Sequence, residues 1–171
     1  ISYQSPWYTE YGYVENHFAR VNTAMSRGVP CVKTAVIHPI ESYWLKRAST
    51  GETSPLCDEM EERFQNLAKW LITGSVDFDY IAESLLEDLC KEGGNPLNVG
   101  KMKYDTIIVA DCITLRPYTI KILNEFKKAG GKLVFAGDKP YLSMGKPCEN
   151  AALLSEGAVC IDFKKTEILN A

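Results

Sequence analysis

The stretch "YDTIIVAD", Tyr104 to Asp111, decides how the chain is read. Four apolar residues in a row, flanked by polar ones, are too short for a free-standing helix. They suit a strand covered on both faces, as in a parallel sheet. Downstream, Thr114 is placed to cap a helix, Pro117 sits in its first turn, and Tyr118, Ile122 and Phe126 share one face. Gly130-Gly131 closes it and "KLVFAG" reads as the next strand. A short helix over 149–155 and the strand "AVCIDF" follow.

Upstream the alternation continues. Val32 to Ile37 predicts a strand, entered through Pro30, which cannot carry a helix onward. Residues 41–57, with "STGETS" at their centre, read as a long exposed loop. "DEMEERFQNLAKWLI" predicts a helix, with Asp58 as N-cap and Met60, Phe64, Leu67, Ala68 and Leu71 along one stripe. "VDFDYI" is a second strand, "AESLLEDLC" a short helix, and "KEGGNP" a break. Ahead of all this, Val14, Phe18, Val21 and Met25 mark an amphipathic helix over 13–25 that ends at Arg27-Gly28. The total is a leading helix followed by five strands alternating with helices. This predicts an α/β fold with a five-stranded parallel sheet, a three-layer sandwich of the flavodoxin-like order 2-1-3-4-5.

Composition narrows the function classes. The 171 residues carry 19 basic and 22 acidic side chains, a formal net charge of -3. That gives no electrostatic reason to expect nucleic acid or an anionic membrane as partner. No apolar run approaches the roughly 20 residues that span a bilayer. The six cysteines form no C-x-x-C pair, and Cys31, Cys112 and Cys160 lie in or beside apolar strand patterns. They read as reduced, structural thiols, which favours a cytoplasmic protein. The chain starts inside the aromatic run "ISYQSPWY" and stops at "EILNA", and reads as a piece of a longer polypeptide.

In such a sheet, ligands bind outside the carboxyl ends of the strands, where the strand order reverses. That places His38, Glu41 and Trp44, from "HPIESYW", together with Asp111 at an interface rim or ligand crevice. Four chemistries fail there. A dinucleotide or flavin phosphate needs a donor-rich glycine turn, and Pro39 removes a donor. A phosphoacceptor site would use Asp111 and Lys139, but only Glu41 follows the first strand, so no acidic pair holds the magnesium. A Cys112–His38 dyad lacks a glycine at its elbow and any later histidine. Two distant histidines and unpaired cysteines do not supply a zinc site. No metal, cofactor or catalytic residue is expected. His38 is expected to bond backbone carbonyls, and Tyr43 and Trp44 to serve packing or an interface.

The N-terminal "ISYQSPWYTEYGY" is an aromatic loop stiffened by Pro6. Its rings could stack on sugar faces while Gln4 and Ser5 meet hydroxyls, which makes Gln4, Ser5, Trp7 and Tyr8 candidate substrate-binding residues. The alternative is that the rings cover a core.

The segments "SPWYTEYGYVENHFARVNTAMSRGVPCVKTAVIHPIESYW", "DFDYI" and "YDTIIVADCITLRPYTIKILNEFKKAGGKLVFAG" resemble the end of the catalytic barrel and the following domain of large bacterial glycoside hydrolases. The family 42 β-galactosidases and α-L-rhamnosidase-like proteins are the nearest in architecture. "AVIHP" and "YDTIIVAD…LRP" carry the resemblance most specifically. It implies that residues 1–28 are the loop and last helix of a (β/α)8 barrel. Residues 29–171 would be the amidotransferase-like trimerisation domain, an accessory domain without catalytic residues. The implied partners are the barrel of the same polypeptide, further copies of the chain, and carbohydrate through the parent enzyme. The fragment alone would be inactive, because the two catalytic carboxylates would lie on earlier barrel strands. Beside this stands a second reading, a small-ligand or regulatory module using the crevice at His38, Glu41 and Asp111.

Overall fold

The computed structural model describes residues 2–47 and 55–171. The chain divides into two compact units, Ile1–Cys31 and Val32–Ala171. In the first, a single 3-10 turn (Tyr8–Glu10) leads into helix α1 (Tyr11–Met25). Gly28 follows at φ 101, a backbone conformation that favours glycine. No residue of α1 is buried: Val14, Phe18, Val21 and Met25 are 44%, 59%, 41% and 80% exposed.

The second unit is α/β. Its main sheet holds five parallel strands, β1 (Thr34–Ile37), β2 (Phe78–Ile81), β5 (Thr106–Ala110), β7 (Lys132–Ala136) and β10 (Val159–Ile161). They lie in the order β10-β7-β5-β1-β2. Five further strands, of two or three residues each, are too short to show a sequence pattern. β3 (Leu97–Val99) and β4 (Met102–Tyr104) form a hairpin. β6 (Thr114–Leu115), β8 (Leu142–Ser143) and β9 (Lys146–Pro147) form a small sheet beyond the end of β5.

Strand geometry sorts the core. Successive side chains point to opposite faces, so Ala35, Ile37, Ile107, Val109, Leu133 and Phe135 join one apolar cluster. Leu86 of helix α4 (Glu83–Leu89), Ile122, Leu123 and Phe126 of α5 (Pro117–Lys128), and Ala151 of α6 (Glu149–Leu153) complete it. Val36, Ile108, Ala110, Val134 and Ala136 join the other. There Leu67 and Leu71 of α3 (Pro55–Thr73) and Ile168 of α7 (Lys165–Asn170) cover the sheet. Helices thus flank both faces, and each fully buried Leu, Ile or Phe contributes about 1.5–3 kcal/mol.

Four local expectations are corrected. Residues 41–57 are not one loop: Ile40–Lys46 is helix α2, and α3 starts at Pro55, while residues 48–54 lie outside the described residues. Tertiary contact decides this, because Ser42 is buried under β6. Thr114 does not cap α5. It is a strand residue and Arg116 holds the cap position, with Pro117 opening the helix. Asp58 falls inside the first turn of α3 rather than at its cap. Cys112 is buried as expected, but Cys31 and Cys160 are exposed; all six cysteines are free. Among the described residues no helix is long and apolar enough to cross a membrane.

Candidate functional site

Asp111 follows directly on β5, and its geometry is unusual. Its φ is 50°, a left-handed conformation that costs a non-glycine residue about 1–2 kcal/mol. It is 5% exposed. Oδ1 accepts from Arg63 Nη1 and from the Asp138 main-chain N–H, both at 3.1 Å. Oδ2 is buried and has no hydrogen-bond partner among the described residues. Gly137 makes the close approach feasible, since a Cβ there would overlap Asp111 Oδ1, and its own φ is 79°. Burial pushes the Asp111 carboxyl up from its ordinary value, against the opposing pull of the Asp138 N–H and Arg63.

Arg63 comes from α3 and binds two carboxylates. Its Nη1 meets Asp111, its Nη2 donates to Glu59 Oε1 at 2.7 Å, and its plane lies over the Phe163 ring at 5.5 Å. Position 63 falls between Met60 and Leu67 at i+3 and i+4 spacing, on the buried stripe of the helix. A charge there is a signal the sequence carries.

His38 ends β1. Its main-chain N–H donates to Ile81 O at 3.0 Å, and its ring packs edge-on against Phe64 and Tyr80 with centroids 5.2 and 5.9 Å apart. The ring is therefore held by aromatic edges, where the sequence suggested carbonyls. Burial lowers its pKa, which favours the neutral imidazole. With Pro39, Ile40, Tyr43, Met60, Glu61 and Phe64 it lines a cleft of about 200 Å³. Behind this cleft, and sharing Pro39, Met60 and Phe64 with it, lies a hollow of about 10 Å³ that Asp111 lines.

Glu41 and Trp44 do not join that cleft. Helix α2 separates the candidates by its period: residues 40 and 43 turn one way, residues 41, 44 and 45 the other. Glu41 pairs with Arg116 Nε, and together with Trp44, Leu45, Thr114, Met144 and Gly145 they line a second cleft of about 270 Å³. Trp44 is 58% exposed. The single crevice expected from the sequence is thus two clefts, one on each side of α2.

The strand ends are tied together by groups the sequence reading passed over. Ser42 Oγ accepts from the N–H groups of Ile113 and Thr114 at 3.0 and 3.2 Å, joining α2 to the segment after β5. Glu83 is buried and its Oε2 accepts from the Arg116 N–H at 2.8 Å. Burial raises its pKa. Glu83 and Leu86 are three apart on the buried face of α4, so the pattern marked this carboxylate too. Lys46 lies 3.7 Å from Asp138.

Cys112, the conceivable nucleophile, is fully buried in the α4/α5 cluster, and its thiol lies against Ala110 O at 3.5 Å. Burial raises its pKa well above the ordinary thiol value, opposite to what a nucleophile needs. No group of three or more metal-ligating side chains occurs among the described residues.

In the first unit, Gln4, Trp7 and Tyr8 are exposed and Ser5 is half-buried. A turn gathers them: Ser5 N–H donates to Ser2 O at 2.8 Å and Tyr8 N–H to Ser5 O at 3.0 Å. Comparison of the chain with family models, curated proteins and solved structures gives no match.

Proposed function

We propose that the chain is a non-catalytic accessory segment of a carbohydrate-active glycoside hydrolase. Residues 1–28 supply the last loop and helix of its catalytic barrel, and residues 29–171 a flavodoxin-like, three-layer, amidotransferase-related domain packed on that barrel. The observation that carries this reading is α1: fifteen residues, an apolar stripe at helical spacing, and no buried side chain. A helix of that length is marginal in water unless its apolar face is packed. A neighbouring body of the same polypeptide is the cover that the sequence resemblance implies.

Two further features support the reading. With the five short strands set aside, the main sheet runs second-first-third-fourth-fifth in chain order, which agrees with a flavodoxin-like core. At its mouth, Asp111 Oδ2 apart, the charged groups serve one another: Glu41 holds Arg116, Glu83 caps the Arg116 N–H, and Arg63 joins Asp111 to Glu59. Cys112 is sealed in the core. Gln4, Ser5, Trp7 and Tyr8 line the parent's sugar pocket in this account, and the Trp44 rim meets a second copy. Free thiols suit a cytoplasmic parent.

The test is hydrolysis of nitrophenyl glycosides by the proposed parent enzyme, the 171-residue chain joined to its catalytic barrel, beside the 171-residue chain alone. The long polypeptide should turn over a glycoside, lose that activity when an upstream barrel carboxylate is replaced, and show a raised KM in Trp7→Ala. The 171-residue chain should show none. Turnover by the 171-residue chain, or upstream sequence without barrel strands, contradicts the reading.

A further inference from the structure

The crevice beside β1 and β5 holds a feature that a purely supporting role leaves unexplained. A carboxylate oxygen buried without a donor costs about 1–3 kcal/mol, and Asp111 also bears the strain of a positive φ. Strain and unpaired polarity at one residue concentrate where a ligand is met. Here they sit at the topological switch point, next to an open cleft.

We propose that this crevice binds a small primary amine with an aromatic or apolar body, its ammonium in the hollow against Asp111 Oδ2 and its body in the cleft against His38, Tyr43 and Phe64. Size is the first argument. The hollow of about 10 Å³ admits one water-sized group, which an ammonium nitrogen matches. The cleft of about 200 Å³ admits a single ring and its linker. Met60 and Phe64 line both spaces, so the linker passes between them.

Charge is the second argument. Glu59 and Asp111 share one guanidinium, Arg63, Glu61 adds a third carboxylate at the cleft wall, and Lys46 and Asp138 offset each other. His38 is held neutral by burial. The described residues therefore leave a negative surplus, which favours a cation and disfavours phosphate or carboxylate. The walls supply three aromatic faces, and an ammonium or its adjacent methylenes pack well against such rings. Arg63 holds Oδ1 and leaves Oδ2 without a partner; Oδ2 is closed to solvent, so the walls of the hollow shift slightly to bring the ammonium against it. The site is independent of the accessory role: a scaffold could carry it, and neither reading stands or falls with the other.

The probe is 2-phenylethylamine, titrated into the 171-residue chain and followed by amide chemical shifts, with phenylacetate and 2-phenylethanol as comparators. Saturable shifts are expected at residues 38–43, 60–64 and 111, with a dissociation constant of about millimolar or tighter. Phenylacetate should not bind. Asp111→Asn keeps the shape and tolerates the positive φ, yet offers an amide in place of an oxygen; it should weaken the amine about tenfold or more and leave the alcohol unchanged. Met60→Trp fills the cleft and the mouth of the hollow, and should abolish binding in a chain that still folds. The proposal is overturned if the amine shows no saturable binding at about 10 mM. Equal binding of phenylacetate, or undiminished affinity in Asp111→Asn or in folded Met60→Trp, overturns it as well.

Discussion

Helices α5 and α1 are both written as amphipathic, and they end differently. In α5, Ile120, Ile122, Leu123 and Phe126 are buried against the sheet. In α1, Val14, Phe18, Val21 and Met25 fall at i, i+4, i+7 and i+11, also on one helical face, and all stand exposed. Periodicity states that a face is meant to be covered; it does not state by what. For α5 the cover is the strand pair β5 and β7, close in sequence and in space. For α1 the cover is proposed to belong to another body of the parent enzyme.

The largest expected contrast comes from truncating the two phenylalanines. Phe126→Ala removes a fully buried ring and should cost about 3–5 kcal/mol in urea denaturation of the 171-residue chain. Phe18→Ala should change it by no more than about 0.5 kcal/mol. A comparable loss in both would erase the distinction.

The glycines give the next contrast. At Gly137 a Cβ overlaps Asp111 Oδ1 and the backbone is left-handed, so Gly137→Ala should cost about 2–4 kcal/mol. Gly28 is also left-handed but meets nothing within 4 Å, so Gly28→Ala should cost only the backbone strain, about 1 kcal/mol. Thermal unfolding of the two variants separates packing from strain.

Serines sharpen the point at smaller scale. Ser42→Ala strands the Ile113 and Thr114 amides and should cost about 1–3 kcal/mol. Ser26 has a single long bond to Thr23 O, 3.5 Å, on an exposed helix end, and Ser26→Ala should be silent within about 0.5 kcal/mol.

The smallest effect is read from pH. Burial raises the Glu83 pKa above its unfolded value near 4.5, so the folded state holds the proton more tightly. The stability this gives is complete below the unfolded pKa and is lost as pH rises through the folded one. Glu83→Gln removes that dependence. Its stability relative to the parent chain should therefore rise between pH 4.5 and 8. A relative fall over the same range would mean that the Arg116 N–H outweighs burial.

Much of this architecture could be read from the chain because it rests on local pattern. Apolar runs ending at Ile37, Ala110 and Ala136 are strands covered on both faces, and the helices between them declare their stripes. Helix α2 escaped because "IESYWLK" is short and its buried residue is a serine, whose place depends on Thr114, 72 positions away. The two-residue strands β6, β8 and β9 are too brief for any periodicity. The sequence names the residues at the strand ends one by one but not their grouping, since helix α2 sends Tyr43 and Trp44 to different clefts. Arg63 and Glu83 were available in principle, as charges on otherwise apolar stripes. The strain at Asp111 was not, because nothing in "ADCIT" announces a left-handed aspartate.

Amide hydrogen exchange on the 171-residue chain tests the central claim most directly, because it compares α1 with α5 in one sample. With its stripe uncovered, α1 should exchange over residues 11–25 about a hundredfold or more faster than residues 117–128. In the proposed parent enzyme, with the barrel present, the gap should close. Protection of α1 equal to that of α5 in the 171-residue chain alone would contradict the account.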